Sequence, residues 1–177
     1  MDTKGVHITL FQSREFKNLP VDIATKLVAK LNEYLVSNPN GELLMYFLDV
    51  KPYADNEQYL FWNVDRTKKN QRLMTAHGMS LALSIWVEPK IEDNYVLYQR
   101  MAEMSMKRKA REHELSSNAG IFGSAPVGEE YPPHITIAAN SNGFKGFKPL
   151  KESLICSARR VVLARMGAWG KIDKILI

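Results

Sequence analysis

Apolar residues recur along this chain in two rhythms. Ala24, Leu27, Val28, Leu31, Tyr34 and Leu35 follow one another at steps of one and three residues, which predicts a helix beginning at Pro20 with Asn18 as its cap. The Ser37-Asn38-Pro39-Asn40-Gly41 run ends it. Residues 43–50 and 59–64 are apolar and aromatic-rich on either side of a turn-like 52–57 segment, which predicts a β-hairpin. A second helix is expected from a cap at Asp65 through Leu73, His77, Leu81 and Ile85, stopped by Pro89. A third, over 94–115, would carry Tyr98, Met101, Ala102 and Ser105 on one face. Residues 116–130, SSNAGIFGSAPVGEE, are Gly- and Ser-rich without periodicity and read as a mobile loop, either a lid or an idle surface segment. Residues 161–166 and 171–177, joined by Gly167-Ala168-Trp169-Gly170, look like a closing hairpin. The class is α+β, in one domain over 1–177.

Two short stretches alternate strictly with period two. His7-Ile8-Thr9-Leu10 and His134-Ile135-Thr136-Ile137 are nearly the same word, and both sit in β-like surroundings. On a strand, residues i and i+2 share a face. His7 and Thr9 would therefore point one way and Ile8 and Leu10 into a core; His134 and Thr136 repeat this, with Ile135 and Ile137 opposite. The chain has only four histidines, and threonine fills only six of its 177 positions. Chance rarely places Thr two residues after two of four histidines. The bland alternative is a solvent-facing sheet that happens to carry both.

Composition narrows the setting. The apolar and charged fractions, 45% and 24%, are those of an ordinary globular chain, and the single cysteine, Cys156, permits no internal disulfide. No secretory leader is read in MDTKGVHITLFQ, and no apolar run approaches membrane-spanning length. The expectation is an intracellular chain, cytoplasmic first with a nuclear setting left open, and no membrane partner. A net charge of +5 suits a polyanionic partner such as RNA or a nucleotide.

Two H-x-T strands facing one cleft would supply two imidazoles and two hydroxyls. An unperturbed imidazole, with pKa about 6.5, can either take or give a proton near neutral pH. One histidine would activate the attacking oxygen and the other protonate the leaving oxygen of a phosphodiester. Thr9 and Thr136 would donate to the non-bridging oxygens. This chemistry needs no metal and no cofactor. No two histidines have metal-ligand spacing, and no G-x-S-x-G, P-loop or dinucleotide fingerprint is present.

These residues resemble the 2H phosphoesterases, or LigT-like proteins, whose signature is two H-x-[ST]-x motifs on two lobes. After the first motif come a helix, the LLMYFLDVKPY…QYLFWNVD hairpin, a further helix, and a second motif preceded by Tyr131 and two prolines, in the family's order. The resemblance implies a two-lobed, pseudo-symmetric α+β fold with antiparallel sheets, outer helices and a central cleft, and 94–130 as a helix-plus-loop insertion. It implies His7 and His134 as the catalytic pair, Thr9 and Thr136 as phosphate ligands, and Tyr131 as an aromatic that stacks on a base. Phe11 is a second stacking candidate. The implied substrate is an RNA-type phosphodiester, a 2′,3′-cyclic phosphate first and a 2′,5′-oligoadenylate second; a monomer is expected. A non-catalytic RNA- or nucleotide-binding module, or a protein-interaction domain, would use the same strands without turnover.

The remaining histidines read as bland. His77 lies amid apolar helix positions and is taken as structural, and His113 sits in the charged KRKAREHEL stretch. The Lys107-Arg108-Lys109 and Arg111 cluster is a solvated helix face that would also suit steering of a polyanion.

Overall fold

The computed structural model describes residues 7–12, 16, 18–36, 43–53, 56–87, 131–151, 154–167 and 172–177. The expected 94–115 helix, the 116–130 loop, His113, the basic cluster and Trp169 lie outside the described residues. The described part is α+β.

Helix α1 spans Val21–Val36. Its first hydrogen bond runs from the Ala24 N–H to the Pro20 carbonyl, so Pro20 and not Asn18 occupies the cap position. Asn18 instead adopts φ 54°, a left-handed conformation asparagine tolerates better than most residues, and turns the chain into the helix. The predicted stripe is inside: Ala24, Leu31 and Leu35 are buried.

Strands β1 (Leu43–Tyr53) and β2 (Asn56–Val64) form the predicted hairpin, but they run almost to its tip, with Tyr53 opposite Asn56. The expected 52–57 turn is therefore mostly strand. Between Phe47 and Asp49 the register shifts by one, so Leu48 is bulged and half exposed at 50%. The bulge keeps Leu43, Met45, Phe47 and Val50 buried although their spacing breaks at 48.

Asp65 ends β2 rather than capping a helix. Its N–H donates to the Tyr46 carbonyl (2.8 Å), and its carboxylate accepts the Thr67 N–H (2.8 Å). A single 3₁₀ turn at Lys68–Asn70 follows, then α2 at Gln71–Ser80, which tightens into a 3₁₀ stretch over Leu81–Trp86. Asn70 precedes α2 but does not cap it, because its amide is committed elsewhere. It accepts from the Tyr46 N–H (3.1 Å) and donates to the Tyr46 carbonyl (2.9 Å) and to the Asp65 carbonyl (2.5 Å). No helix among the described residues is long and apolar enough to cross a membrane.

Strand β3 is His134–Ala139, and β4, which the sequence pattern did not predict, is Leu154–Ala158. They complete an antiparallel sheet in the order β3-β2-β1-β4. Strands β5 (Ala164–Met166) and β6 (Ile172–Ile175) pair separately as the expected closing hairpin.

The core lies on one face of the four-stranded sheet. Leu31 and Leu35 of α1 and Leu73 and Ala76 of α2 pack with Leu43, Met45, Phe47, Val64 and Ile135, and Ile8 and Leu10 close against this cluster. Burying each large apolar side chain contributes about 1.5–3 kcal/mol, which is why the two helices share this face. Asn32 ties the layers together: its amide donates to the Val161 carbonyl (2.9 Å) and accepts the Val161 N–H (2.6 Å).

Candidate active site

The second motif is on a regular strand. In β3, His134 lies opposite Asn63 and Thr136 opposite Phe61, so all four share the sheet face turned away from the core. Ile135 is buried as expected. Ile137 is not: a one-residue register shift between Leu60 and Phe61 bulges it out, and it is 46% exposed. The expectation that Ile135 and Ile137 both anchor the strand holds for Ile135 alone.

The His134 ring is closely held. It stacks on Phe61, with centroids 3.7 Å apart and planes 14° apart. Its Nδ1–H donates to the Pro132 carbonyl (2.6 Å). A carbonyl can only accept, so the neutral ring carries its proton on Nδ1 and leaves the Nε2 lone pair free of it. Burial pushes the His134 pKa below the ordinary imidazole value; the bond to Pro132 opposes this, and repulsion by the His7 charge adds to the fall. That last effect places His7 within electrostatic reach of His134, although the two are remote in sequence.

The first motif is not a strand. Among the described residues, 7–12 join no sheet ladder, and two of their carbonyls meet side-chain donors instead. The Tyr131 hydroxyl donates to the Thr9 carbonyl (2.7 Å), and His77 Nδ1 donates to the Leu10 carbonyl (2.6 Å). The alternation survives without the strand, since Ile8 and Leu10 face the core. Thr9 is half-buried and Thr136 exposed.

Tyr131 departs from its expected role. It is 4% exposed, and its ring lies on the His77 imidazole with centroids 3.8 Å apart and planes 7° apart. A ring already covered on that face and buried at its edge has no free surface for a base. Burial pushes its hydroxyl well above the usual phenol range, so it stays a donor. Burial likewise lowers the pKa of His77, which is 3% exposed; its bond to Leu10 opposes the fall and the charge of Arg66 adds to it. Phe11, the other stacking candidate, is half-buried beside Phe16, with ring centroids 6.3 Å apart.

Several neighbours of His134 escaped the sequence reading. Asn63 donates to Asp49 (2.8 Å), and Lys51 donates to the other Asp49 oxygen (3.1 Å), forming a polar string across the same sheet face. Tyr53 and Tyr59 flank Phe61, at 5.0 and 6.1 Å between centroids. Arg66 is exposed, and its charge reaches both His77 and Tyr131. The available signal was the Asp49 and Lys51 pair, two charges at i and i+2 inside an apolar run.

Among the described residues no three His, Cys, Asp or Glu side chains are grouped to hold a metal ion. A scan of protein-family models and searches of curated proteins and of solved structures find no match to this chain.

Proposed function

We propose that this chain is a phosphodiesterase of the 2H type that hydrolyses an RNA-type phosphodiester, with a 2′,3′-cyclic phosphate as the first substrate. The reading rests on one observation: the first H-x-T word is bonded at its Thr9 carbonyl to the Tyr131 hydroxyl, three residues before His134, so two motifs far apart in the chain meet in space. The resemblance to the LigT-like proteins adds the two-lobed frame in which such a pair would face a central cleft.

The roles follow from the surroundings of the His134 ring. His134 is held neutral by burial, with its proton on the side of Pro132, so Nε2 is the base. It takes a proton from water as the water oxygen bonds to phosphorus. His7, the other member of the pair, gives a proton to the ribose oxygen as the phosphorus–oxygen bond to that oxygen breaks. The Thr9 and Thr136 hydroxyls donate to the non-bridging oxygens, where negative charge grows. A neutral His134 is a poor ligand for a phosphate that is only to be held, which favours turnover over simple binding.

The test is parallel incubation with a 2′,3′-cyclic nucleotide and a 2′,5′-linked oligoadenylate in the presence of a chelator. Cleavage of the cyclic phosphate supports the reading. Cleavage of the oligoadenylate alone moves the substrate to the 2′,5′ linkage, and no cleavage of either, with nucleotide bound, replaces the enzyme by a binding module.

A further inference from the structure

We infer that His77 and Tyr131 are positioning residues that set His7 against His134. The inference rests on the proposed pairing of the two histidines and concerns what holds them at their separation.

The first motif has no strand partner among the described residues, so its placement depends on other bonds. Its two consecutive carbonyls, at Thr9 and Leu10, are held by the Tyr131 hydroxyl and by His77 Nδ1. The two donors are not independent, because their rings lie nearly parallel at 3.8 Å. Each is anchored separately. His77 follows Ala76 and Leu73 on the core side of α2. Tyr131 is joined to His134 by Pro132 and Pro133 alone, two residues whose φ is locked near −65°.

Both prolines are themselves tied. The Pro132 carbonyl accepts from the His134 ring, and the Pro133 carbonyl accepts the Val64 N–H (3.0 Å). The path from one histidine to the other is therefore short and stiff: His7 to the Thr9 carbonyl, across one hydrogen bond to Tyr131, then through two prolines to His134. The stacked His77 ring braces that path from the side and holds the next carbonyl along. Such a brace matters because a displacement of about 1 Å in a reacting group can cost about 10²-fold in rate.

The variants are Tyr131→Phe, which keeps the ring and removes the donor, and the pair His77→Leu and His77→Asn. Asparagine can return an N–H near the position of Nδ1; leucine cannot. Two readouts are taken. In the first, histidine-ring NMR follows the His134 titration midpoint with and without His7→Gln. In the parent, His7→Gln raises the His134 midpoint by removing a like charge. In the Tyr131→Phe and His77→Leu backgrounds that response shrinks, while His77→Asn restores it; Arg66 is present in all of them and cancels from the comparison.

In the second readout, turnover of a 2′,3′-cyclic nucleotide falls about tenfold or more in kcat with KM changed less than about threefold in Tyr131→Phe, as expected for misplaced groups in an intact binding site. Failure of the parent to turn over the nucleotide counts against the proposed activity and leaves the NMR test standing. A His134 response to His7→Gln of the same size in Tyr131→Phe and His77→Leu as in the parent overturns the inference, as does a loss of melting temperature with kcat unchanged.

Discussion

The Phe61 ring covers one face of the His134 imidazole at 3.7 Å, and the residue directly across the ladder from that imidazole is Asn63 and not a carboxylate. His134 is thus stacked and desolvated, and its Nδ1 meets a carbonyl instead of a counter-charge. This combination explains why its pKa falls although it is well hydrogen-bonded.

Stability should fall as the solution is acidified. His134 and His77 both have folded-state pKa values below the ordinary imidazole value. Over that interval the unfolded chain binds more protons than the folded one, so stability is full above about pH 6.5 and declines through the lowered folded values. Urea unfolding between pH 7.5 and 5 measures the slope, and His134→Gln should flatten it. An identical slope in that variant would contradict the burial of a neutral His134.

His7→Ala and His134→Ala should each reduce turnover by a factor of about 10² or more while circular dichroism stays unchanged. The acid limb of the kcat/KM profile belongs to the base, so it should move when the surroundings of His134 are altered. Added chelator should leave the rate of the parent unaffected, because neither proton transfer uses a metal.

Thr136→Val removes a hydroxyl from the exposed face and should lower kcat by about 10²-fold if that hydroxyl meets the growing charge on phosphate. Its melting temperature should hardly change, since Thr136 lies exposed. Thr9→Val should act in the same direction and keep the carbonyl bond to Tyr131, which is made by the backbone.

Asn70→Leu is expected to destabilise the chain without touching the chemistry. It would strand the part-buried N–H of Tyr46 and the buried carbonyl of Asp65, while the Tyr46 carbonyl keeps the Asp65 N–H as its donor. The expected loss is about 1–3 kcal/mol for each buried group left unsatisfied, read by chemical denaturation. A variant as stable as the parent would mean that water replaces the amide.

Local periodicity was enough for α1, for the β1–β2 hairpin, for the H-x-T strand β3 and for the closing hairpin, because each buries a face whose spacing is written in consecutive residues. It failed for the first motif. The Thr9 and Leu10 carbonyls meet Tyr131 and His77, side-chain donors that lie far along the chain and that no local spacing reveals. Strand β4 escaped because LICSA is five residues long and its outer face carries the apolar Ile155, 57% exposed, beside Ser157, which blurs the alternation. Tyr131 was found by position and mistaken in role, since burial against His77 is a property of packing. The Asn63, Asp49 and Lys51 string required the sheet register, which no single strand contains.

Leu48 has a bearing on how this strand tolerates change. Its neighbours on either side already face their proper ways, with Phe47 inward and Asp49 outward, and between Phe47 and Tyr53 it is the one residue with no opposite number on β2. Deleting it would straighten the strand and turn no residue over. Deleting Tyr46 instead would roll Met45 and Leu43 toward water or drive Asp49 and Lys51 into hydrocarbon. The chain therefore holds one expendable position in the middle of its longest strand, and it lies beside the residues that border His134.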